Sequence, residues 1–292
     1  VHQGRHIVLF PGVPEEMREL ARLHLAPLVR RTSTEAVDYC IVRTVGIAES
    51  LLEQRLGDLA AQLGDGMSVA YLPGQGGVDV RIAVPPSLPP GVERVAWSAR
   101  ARDLVRAAAG EFVYSEDDRP LEQVVGDLLR ERGWRLAVAE SCTGGLLGGR
   151  ITSLPGSSQW FDGGAIVYAN DAKTTEAGVP AELLAAHGAV SEPVARALAR
   201  GIAARFGTEC GIGVTGIAGP DGGTPEKPVG TVHLTAVSPD GEHHRLLHLR
   251  GNRAQVRERA VTFALELMRR RLLGLPASSP RAIGTPPPAS AA

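Results

Sequence analysis

Ser141 stands in the run Ala139-Glu140-Ser141-Cys142-Thr143-Gly144-Gly145, where an apolar strand read over Leu136–Ala139 gives way to a helix read over Thr143–Thr152. Such a strand delivers the serine to the carboxyl edge of a sheet, where ligands of open α/β folds collect. Thr143, Gly144 and Gly145 would open the helix with free backbone N–H groups, which suit a phosphate or an oxyanion beside a serine nucleophile. The plainer alternative is a helix cap at Ser141 or Thr143 with glycines that allow close packing, and the turn alone favours it. Cys142 reads as a small buried filler rather than a nucleophile.

Three further segments carry chemistry-bearing residues. After the strand Ala165-Ile166-Val167 comes Tyr168-Ala169-Asn170-Asp171-Ala172-Lys173, a phenol and an amine close together. A lysine acts as a base only if burial or a nearby cation leaves it neutral; a solvated Lys173 and a half-buried Tyr168 are the commoner fates. Gly213–Gly223 is a strand end running into a glycine-rich loop, in which Thr215, Gly216 and Gly219 could let backbone approach an anion. Pro220 and two later glycines distinguish it from a dinucleotide fingerprint. Gly251-Asn252-Arg253 starts the last helix, and an arginine there gains nothing from the helix dipole, which frees Arg253 for an anionic ligand group. No metal is expected: His244 and His248 share a strand face but stand ~13 Å apart at ~3.3 Å per residue.

These segments need a scaffold. The residues Ile7–Phe10 read as a strand and Glu15–Val29 as a helix, too little to bury both faces. From Asp38 follow a strand at Tyr39–Val45, a helix at Ala48–Leu63, strands at Met67–Leu72 and Val78–Val84, a helix at Ala99–Ala109 and a closing strand at Phe112–Tyr114, a β-α-β-β-α-β unit. Helices at Leu121–Arg132 and Ala181–His187 and strands at Leu136–Ala139, Gly163–Tyr168, Glu209–Thr215, Val229–Ser238 and His243–Leu249 make up the rest. Ser191 and Asn252 cap two further helices, the first striped by Val194, Leu198, Ile202 and Phe206. Alternation of strands and helices, with consecutive strands late, predicts a three-layer α/β/α domain with a mixed sheet, preceded by a small α+β domain. The division is 1–36, 37–116, 117–275 and a Pro/Ala/Ser tail at 276–292 expected to be disordered.

With 292 residues, 43% hydrophobic and 22% charged, the chain has globular composition. A net charge of −1 gives no overall field to recruit nucleic acid or anionic lipid. Cys40, Cys142 and Cys210 are odd in number and far apart, which supports neither a disulfide framework nor a zinc site and suits the cytoplasm. No apolar run approaches the ~20 residues that span a bilayer.

Together the segments resemble the competence/damage-inducible CinA family. Ala139–Gly145, Gly156-Ser157-Ser158, Gly163–Lys173, Gly213–Gly230 and Gly251–Arg253 occur in the family's order. Leu9–Met17 looks like the end of its N-terminal molybdopterin-binding-like domain, most of which is absent here, and Gly46–Ser50 like the start of its KH-like middle domain. Gly74-Gln75-Gly76-Gly77 matches a GxxG pattern by letter but joins two strands, and is read as a hairpin turn. The resemblance implies a nicotinamide mononucleotide deamidase of the pyridine nucleotide cycle, without cofactor or metal, taking a small nucleotide and neither nucleic acid nor membrane, with a homo-oligomer as the expected assembly. It implies Ser141 as nucleophile, Lys173 as base, Tyr168 as proton relay or oxyanion donor, and Ser158 as rival nucleophile or orienter of Lys173. Thr143, Gly144, Gly145, Asn170, Thr215, Gly216, Gly219 and Arg253 would hold the substrate. The alternative is a non-catalytic nucleotide-binding module linked to competence or DNA damage.

Overall fold

The computed structural model describes residues 6–32, 38–64, 68–85, 87–88 and 90–278; most of the predicted tail, from 279 onward, lies outside the described residues. At the N-terminal end, Ile7–Phe10 is not a strand; among the described residues no strand supplies a ladder for its peptide groups. Helix α1 (Pro14–Leu20) runs through a π-helical turn (Ala21–Leu25) into α2 (Ala26–Thr32), and the run buries no residue.

The small domain is built from β1 (Tyr39–Thr44), α3 (Glu49–Leu56), α4 (Leu59–Leu63), β2 (Val69–Pro73), β3 (Val78–Ala83), α5 (Arg94–Ala109) and β4 (Val113–Ser115). Its sheet has the order β2-β3-β1-β4 with antiparallel pairings. The single helix expected at Ala48–Leu63 is two: Gly57 ends α3 at φ 56°, and Asp58 caps α4 by accepting from the Ala61 amide at 2.9 Å. The Gly74–Gly77 segment is the β2–β3 hairpin turn, as its position between two strands required.

The larger domain contains α6 (Leu121–Arg132), β5 (Leu136–Glu140), α7 (Leu146–Thr152), β6 (Phe161–Ile166), α8 (Asn170–Ala177), α9 (Ala181–His187), α10 (Glu192–Phe206), β7 (Cys210–Gly216), β8 (Thr231–Ser238), β9 (Gly241–His248) and α11 (Arg253–Leu272). The sheet order is β6-β5-β7-β8-β9, parallel across β6, β5 and β7 and antiparallel from β7 to β9. This is the expected mixed sheet between two helical layers.

Residue size explains the layering. Leu136 and Val138 of β5 and Ile212 and Val214 of β7 join the core under α6 and α11, whereas Ala137 and Ala139 face α10. Opposite them on β7, a Cβ at Gly211 or Gly213 would overlap the carbonyl oxygens of Ala199 or Ala195. Helix α10 therefore lies almost on the strand backbone. At its far side, Gly201 allows the same close approach to the Ala177 carbonyl of α8.

Helix α11 joins the domains. Glu266, Arg269 and Arg270 are all buried on it, and Arg269 Nε donates to Glu266 Oε2 at 2.7 Å. Arg270 reaches Glu111 Oε2 at 2.6 Å, and Arg269 donates to the Glu111 carbonyl at 2.8 Å, both across the junction with the small domain. Arg270 also donates to the Pro276 carbonyl, and Ala277 packs on the core, so the first residues assigned to the tail are docked. Buried ions need partners, and removing one leaves the others uncompensated. Glu266→Ala should therefore cost about 3–5 kcal/mol, measured by urea unfolding; a loss within the error of that measurement would show the network to be dispensable.

Candidate active site

Ser141 follows β5 directly and is tied to the next strand, since its amide donates to the Val214 carbonyl at 3.0 Å. Residues 141–144 form a turn closed by the Gly144 amide donating to the Ser141 carbonyl at 3.1 Å. Ser141 is buried, and its Oγ has no hydrogen-bond partner among the described residues.

The free helix terminus expected after Ser141 is occupied. Glu140, itself buried, folds its carboxylate back into α7: Oε2 accepts from the amides of Gly145 and Leu147, each at 3.0 Å, and Oε1 from Gly148 at 2.8 Å. These donors are orphaned at any helix start; here the chain's own carboxylate takes them. Gly144 and Gly145 thus offer no amide to a substrate anion. The amides of Cys142 and Thr143 have no partner among the described residues, and they stand beside the serine. Glu140 was overlooked because an acidic residue at a strand end reads as a surface residue; its place five to eight residues before the amides of a glycine-rich helix start is the signal.

Lys173 sits in α8, a helix absent from the sequence reading, which brings it back toward the end of β6. It is buried, and its Nζ donates to the carbonyls of Val167 and Tyr168, each at 3.0 Å. The Val167 amide in turn donates to the Glu140 carbonyl at 2.8 Å, one peptide before Ser141. Burial pushes the Lys173 amine below its ordinary value. A neutral amine that spends both N–H bonds on carbonyls keeps its lone pair as the remaining polar feature. Burial pushes the neighbouring Cys142 thiol up to about 12, so it stays protonated and inert at neutral pH.

Tyr168 is exposed, and its hydroxyl accepts from Arg253 Nη2 at 3.1 Å. Arg253 Nη1 also donates to the Gly219 carbonyl at 2.8 Å. The phenol, the arginine and the glycine-rich loop therefore meet at the edge where Ser141 emerges. Asn170 is exposed at the start of α8. The other predicted positions are occupied structurally. Thr215 Oγ1 donates to the Ala189 carbonyl at 2.8 Å, Gly216 pairs with Val232, and Thr143 is fully enclosed with its hydroxyl unpartnered among the described residues.

Ser158 lies at the opposite edge. It precedes β6, and its carbonyl accepts from Arg135 at 3.1 Å, just before β5 begins. Six residues of extended chain, at ~3.3 Å each, separate that end from Ser141. Within one chain Ser158 neither replaces Ser141 nor orients Lys173. Ser191 occupies the N-cap position of α10, but its hydroxyl donates to the Gly188 carbonyl instead of capping an amide, whereas Asn252 caps α11 in a capping box with Gln255.

Besides Glu140, the sequence reading missed the part that Arg257 plays in the turn. Arg257, one turn along α11 from Arg253, donates from Nε to the Cys142 carbonyl at 3.1 Å and from Nη2 to the Thr143 carbonyl at 2.8 Å. On the α10 face of the sheet, His233 Nδ1 lies 3.1 Å from His244 Nε2, and burial pushes His233 down to about 4. Among the described residues no group of three His, Cys, Asp or Glu side chains could hold a metal, and no helix is long and apolar enough to cross a membrane.

The family description "CinA C-terminal domain" matches residues 118–272, and "Damage-inducible protein CinA KH domain" matches 41–115. A CinA-like protein of Gemmatimonas aurantiaca is 48% identical over 281 residues, covering 91% of this chain and 62% of its own length. One from Chlorobaculum tepidum is 45% identical over 240 residues, covering 82% and 56% respectively. The chain thus spans roughly three fifths of the length of the curated relatives it matches. Among solved structures, the competence damage-inducible protein A from Klebsiella pneumoniae is 35% identical with a TM-score of 0.51, covering 52% of this chain and 95% of that one. The competence/damage inducible protein CihA from Agrobacterium tumefaciens is 39% identical with a TM-score of 0.50, covering 51% and 91%.

Hydrogen bonds to a charged acceptor contribute more than neutral ones, and orphaning their donors is costly. Glu140→Ala should cost about 2–4 kcal/mol in urea unfolding and speed hydrogen exchange at Gly145, Leu147 and Gly148. Glu140→Gln, with one acceptor oxygen, should fall between the two. Unchanged exchange in Glu140→Ala would contradict the cap.

Proposed function

The chain belongs to the CinA family, and on that footing we propose that it is an amidohydrolase that converts nicotinamide mononucleotide to nicotinate mononucleotide and ammonia. The observation that carries the reading is the buried, carbonyl-anchored Lys173 amine: its acceptor residue Val167 is bonded through its own amide to the Glu140 carbonyl, which immediately precedes Ser141 and its unpartnered hydroxyl. A serine with a neutral lysine as its base is a nucleophile and base pair that works without a metal.

In this mechanism Lys173 takes the Ser141 proton as Oγ attacks the carboxamide carbon. The ring's positive charge makes that carbon more electrophilic than an ordinary amide carbon. The Cys142 amide, in the part of the turn that is not fully enclosed, receives the developing oxyanion. Lys173 then returns the proton to the departing nitrogen, and ammonia leaves a nicotinoyl ester on Ser141. Water attacks the ester with Lys173 again as base, and the proton goes back to Oγ. Tyr168, whose oxygen is held by Arg253, has its own proton free to donate to the tetrahedral oxygen or to relay. Arg253, Asn170 and the loop around Thr215, Gly216 and Gly219 border the ribose and phosphate. The partner is a small nucleotide, with no nucleic acid or membrane, and the setting is a cytoplasmic homo-oligomer.

Purified protein should release ammonia steadily from nicotinamide mononucleotide, with or without a chelator. Ser141→Ala should lower kcat by about 10³-fold or more, while Ser158→Ala stays within about threefold. Because only neutral Lys173 is a base, kcat/KM should rise with pH through a value below the ordinary ~10.4 of lysine, and Lys173→Arg should be inactive throughout. Absence of ammonia release at high protein concentration would sink the proposal; nucleotide binding that raises Tm without turnover would replace it with a non-catalytic binding module.

A further inference from the structure

The hairpin turn at Gly74–Gly77 touches α11 through Gly76, where a Cβ would stand 2.9 Å from Thr262, and two cavities adjoin it. The larger, about 380 Å³, is a groove between α7 and α11 that Gln75 of the small domain also lines. The other, about 290 Å³, reaches Arg43 and Tyr114. Neither is lined by Ser141, Lys173, Tyr168 or Arg253. The larger groove has the size of a small-molecule site.

Its walls are apolar. Leu146 stands exposed on the α7 side and Val261 is buried on the α11 side, while a Cβ at Gly149 would meet nothing within 4 Å. The charges that line it are unequally matched. Arg150 is already committed, with Nε and Nη2 on Glu122 Oε2 at 2.9 and 2.8 Å and Nη1 on Thr262 Oγ1 at 2.8 Å. Glu258 has no ion pair and its carboxylate no hydrogen bond among the described residues. Its helical neighbours three and four positions away are Ala254, Gln255, Val261 and Thr262, so α11 brings no cation onto its face. Arg257 and Arg259, next to it in sequence, are turned to the carbonyls of Cys142, Thr143 and Arg250. The side-chain amide of Gln75 is likewise unpartnered among the described residues, and it offers both a donor and an acceptor.

We propose that this groove is a binding site for a small aromatic cation, whose ring lies against Leu146, Gly149 and Val261 and whose charged group meets Glu258 beside Gln75. A flat ring suits a wall that carries no side chain at Gly149, and burial of its apolar faces supplies most of the affinity. An ion pair at an exposed carboxylate adds little by itself, but it sets the sign of the charge that is accepted. An anion is repelled by Glu258, and a neutral ligand leaves it unpaired. Gln75 belongs to the small domain and the other contacts to the larger one, so the occupant bridges the two. It rests on α7, the helix whose start is held by Glu140.

The test is calorimetric titration of the full chain with phenylguanidinium and with phenylurea, its neutral isostere. The cation should bind about fivefold more tightly than the urea, a gap that narrows as salt is raised and closes in Glu258→Gln. Gly149→Leu places a side chain in the groove and should cost about tenfold or more for both probes, with Tm unchanged or raised because leucine favours the helix. Bound cation should slow hydrogen exchange in the Gly74–Gly77 turn as well as in α7, and Ser141→Ala and Tyr168→Ala should bind it as wild type does. Absence of binding, equal affinity for the two probes, or cation binding that survives Gly149→Leu would overturn the proposal. Loss of binding in Tyr168→Ala would overturn it too, by placing the probe at the Ser141 edge. A dimer in sedimentation that Gly149→Leu dissociates would make the groove a contact between copies instead. Ammonia release enters none of these readouts, so the deamidase reading stands or falls separately.

Discussion

Glu140 ends β5 with its side chain turned back into the first turn of α7, and a buried carboxylate must be paired or hydrogen-bonded to be tolerated. It accepts from three amides at 2.8–3.0 Å, which satisfies the carboxylate and the helix start at once. The turn between them has little freedom left, because Ser141 is bonded to β7 and Gly144 to Ser141. Everything proposed for the serine depends on this short, doubly tethered segment. The same arrangement alters the electrostatics of the edge. A helix start usually attracts anions, but this one already holds the Glu140 carboxylate, so the phosphate of the proposed substrate needs its countercharge elsewhere. Arg253 at the start of α11, beside Tyr168 and Gly219, is the cation available for it.

Helix α11 thereby serves two ends of the molecule. Its first turns bring Arg253 to Tyr168 and Gly219 and Arg257 to the serine turn. Its last turns hold the buried arginines that reach Glu111 in the small domain. A displacement of the small domain would act on the far end of the element that frames the site. The hairpin turn at Gly74–Gly77 lies on the same helix, with Gly76 so close to Thr262 that a Cβ would stand 2.9 Å from it.

The layered fold was legible because its signals are local. The alternating strands and helices, the stripe of Val194, Leu198 and Ile202, and the Asn252 cap each follow from residues a few positions apart. Ser141, Tyr168 and Lys173 were legible as types at strand ends. What escaped detection is what tertiary contact decides. Ile7–Phe10 has strand composition but nothing to pair with among the described residues. α8 is polar and short, so its periodicity is faint, yet it positions Lys173. Glu140 and Arg257 look like ordinary surface charges until one is seen folded onto three amides and the other onto two carbonyls. His233 and His244 meet only because β8 and β9 are neighbours. Ser158 shows the converse: its place in a motif suggested chemistry that its position at the far sheet edge does not support within one chain.

The bare backbone of β7 beneath α10 also governs how this domain tolerates change. Replacing glycine by alanine is a standard way to stiffen a chain, since it removes freedom from the unfolded state. At Gly211, Gly213 and Gly201 the added methyl would strike a carbonyl of the adjoining layer, and the layers would have to part. Gly149 on α7 meets nothing within 4 Å, so a methyl is accommodated there and helix propensity improves. Variation in this domain is thus confined by layer: β7 beneath α10 is closed at its glycines to even one added carbon atom, while Gly149 on the outer surface of α7 has room for it.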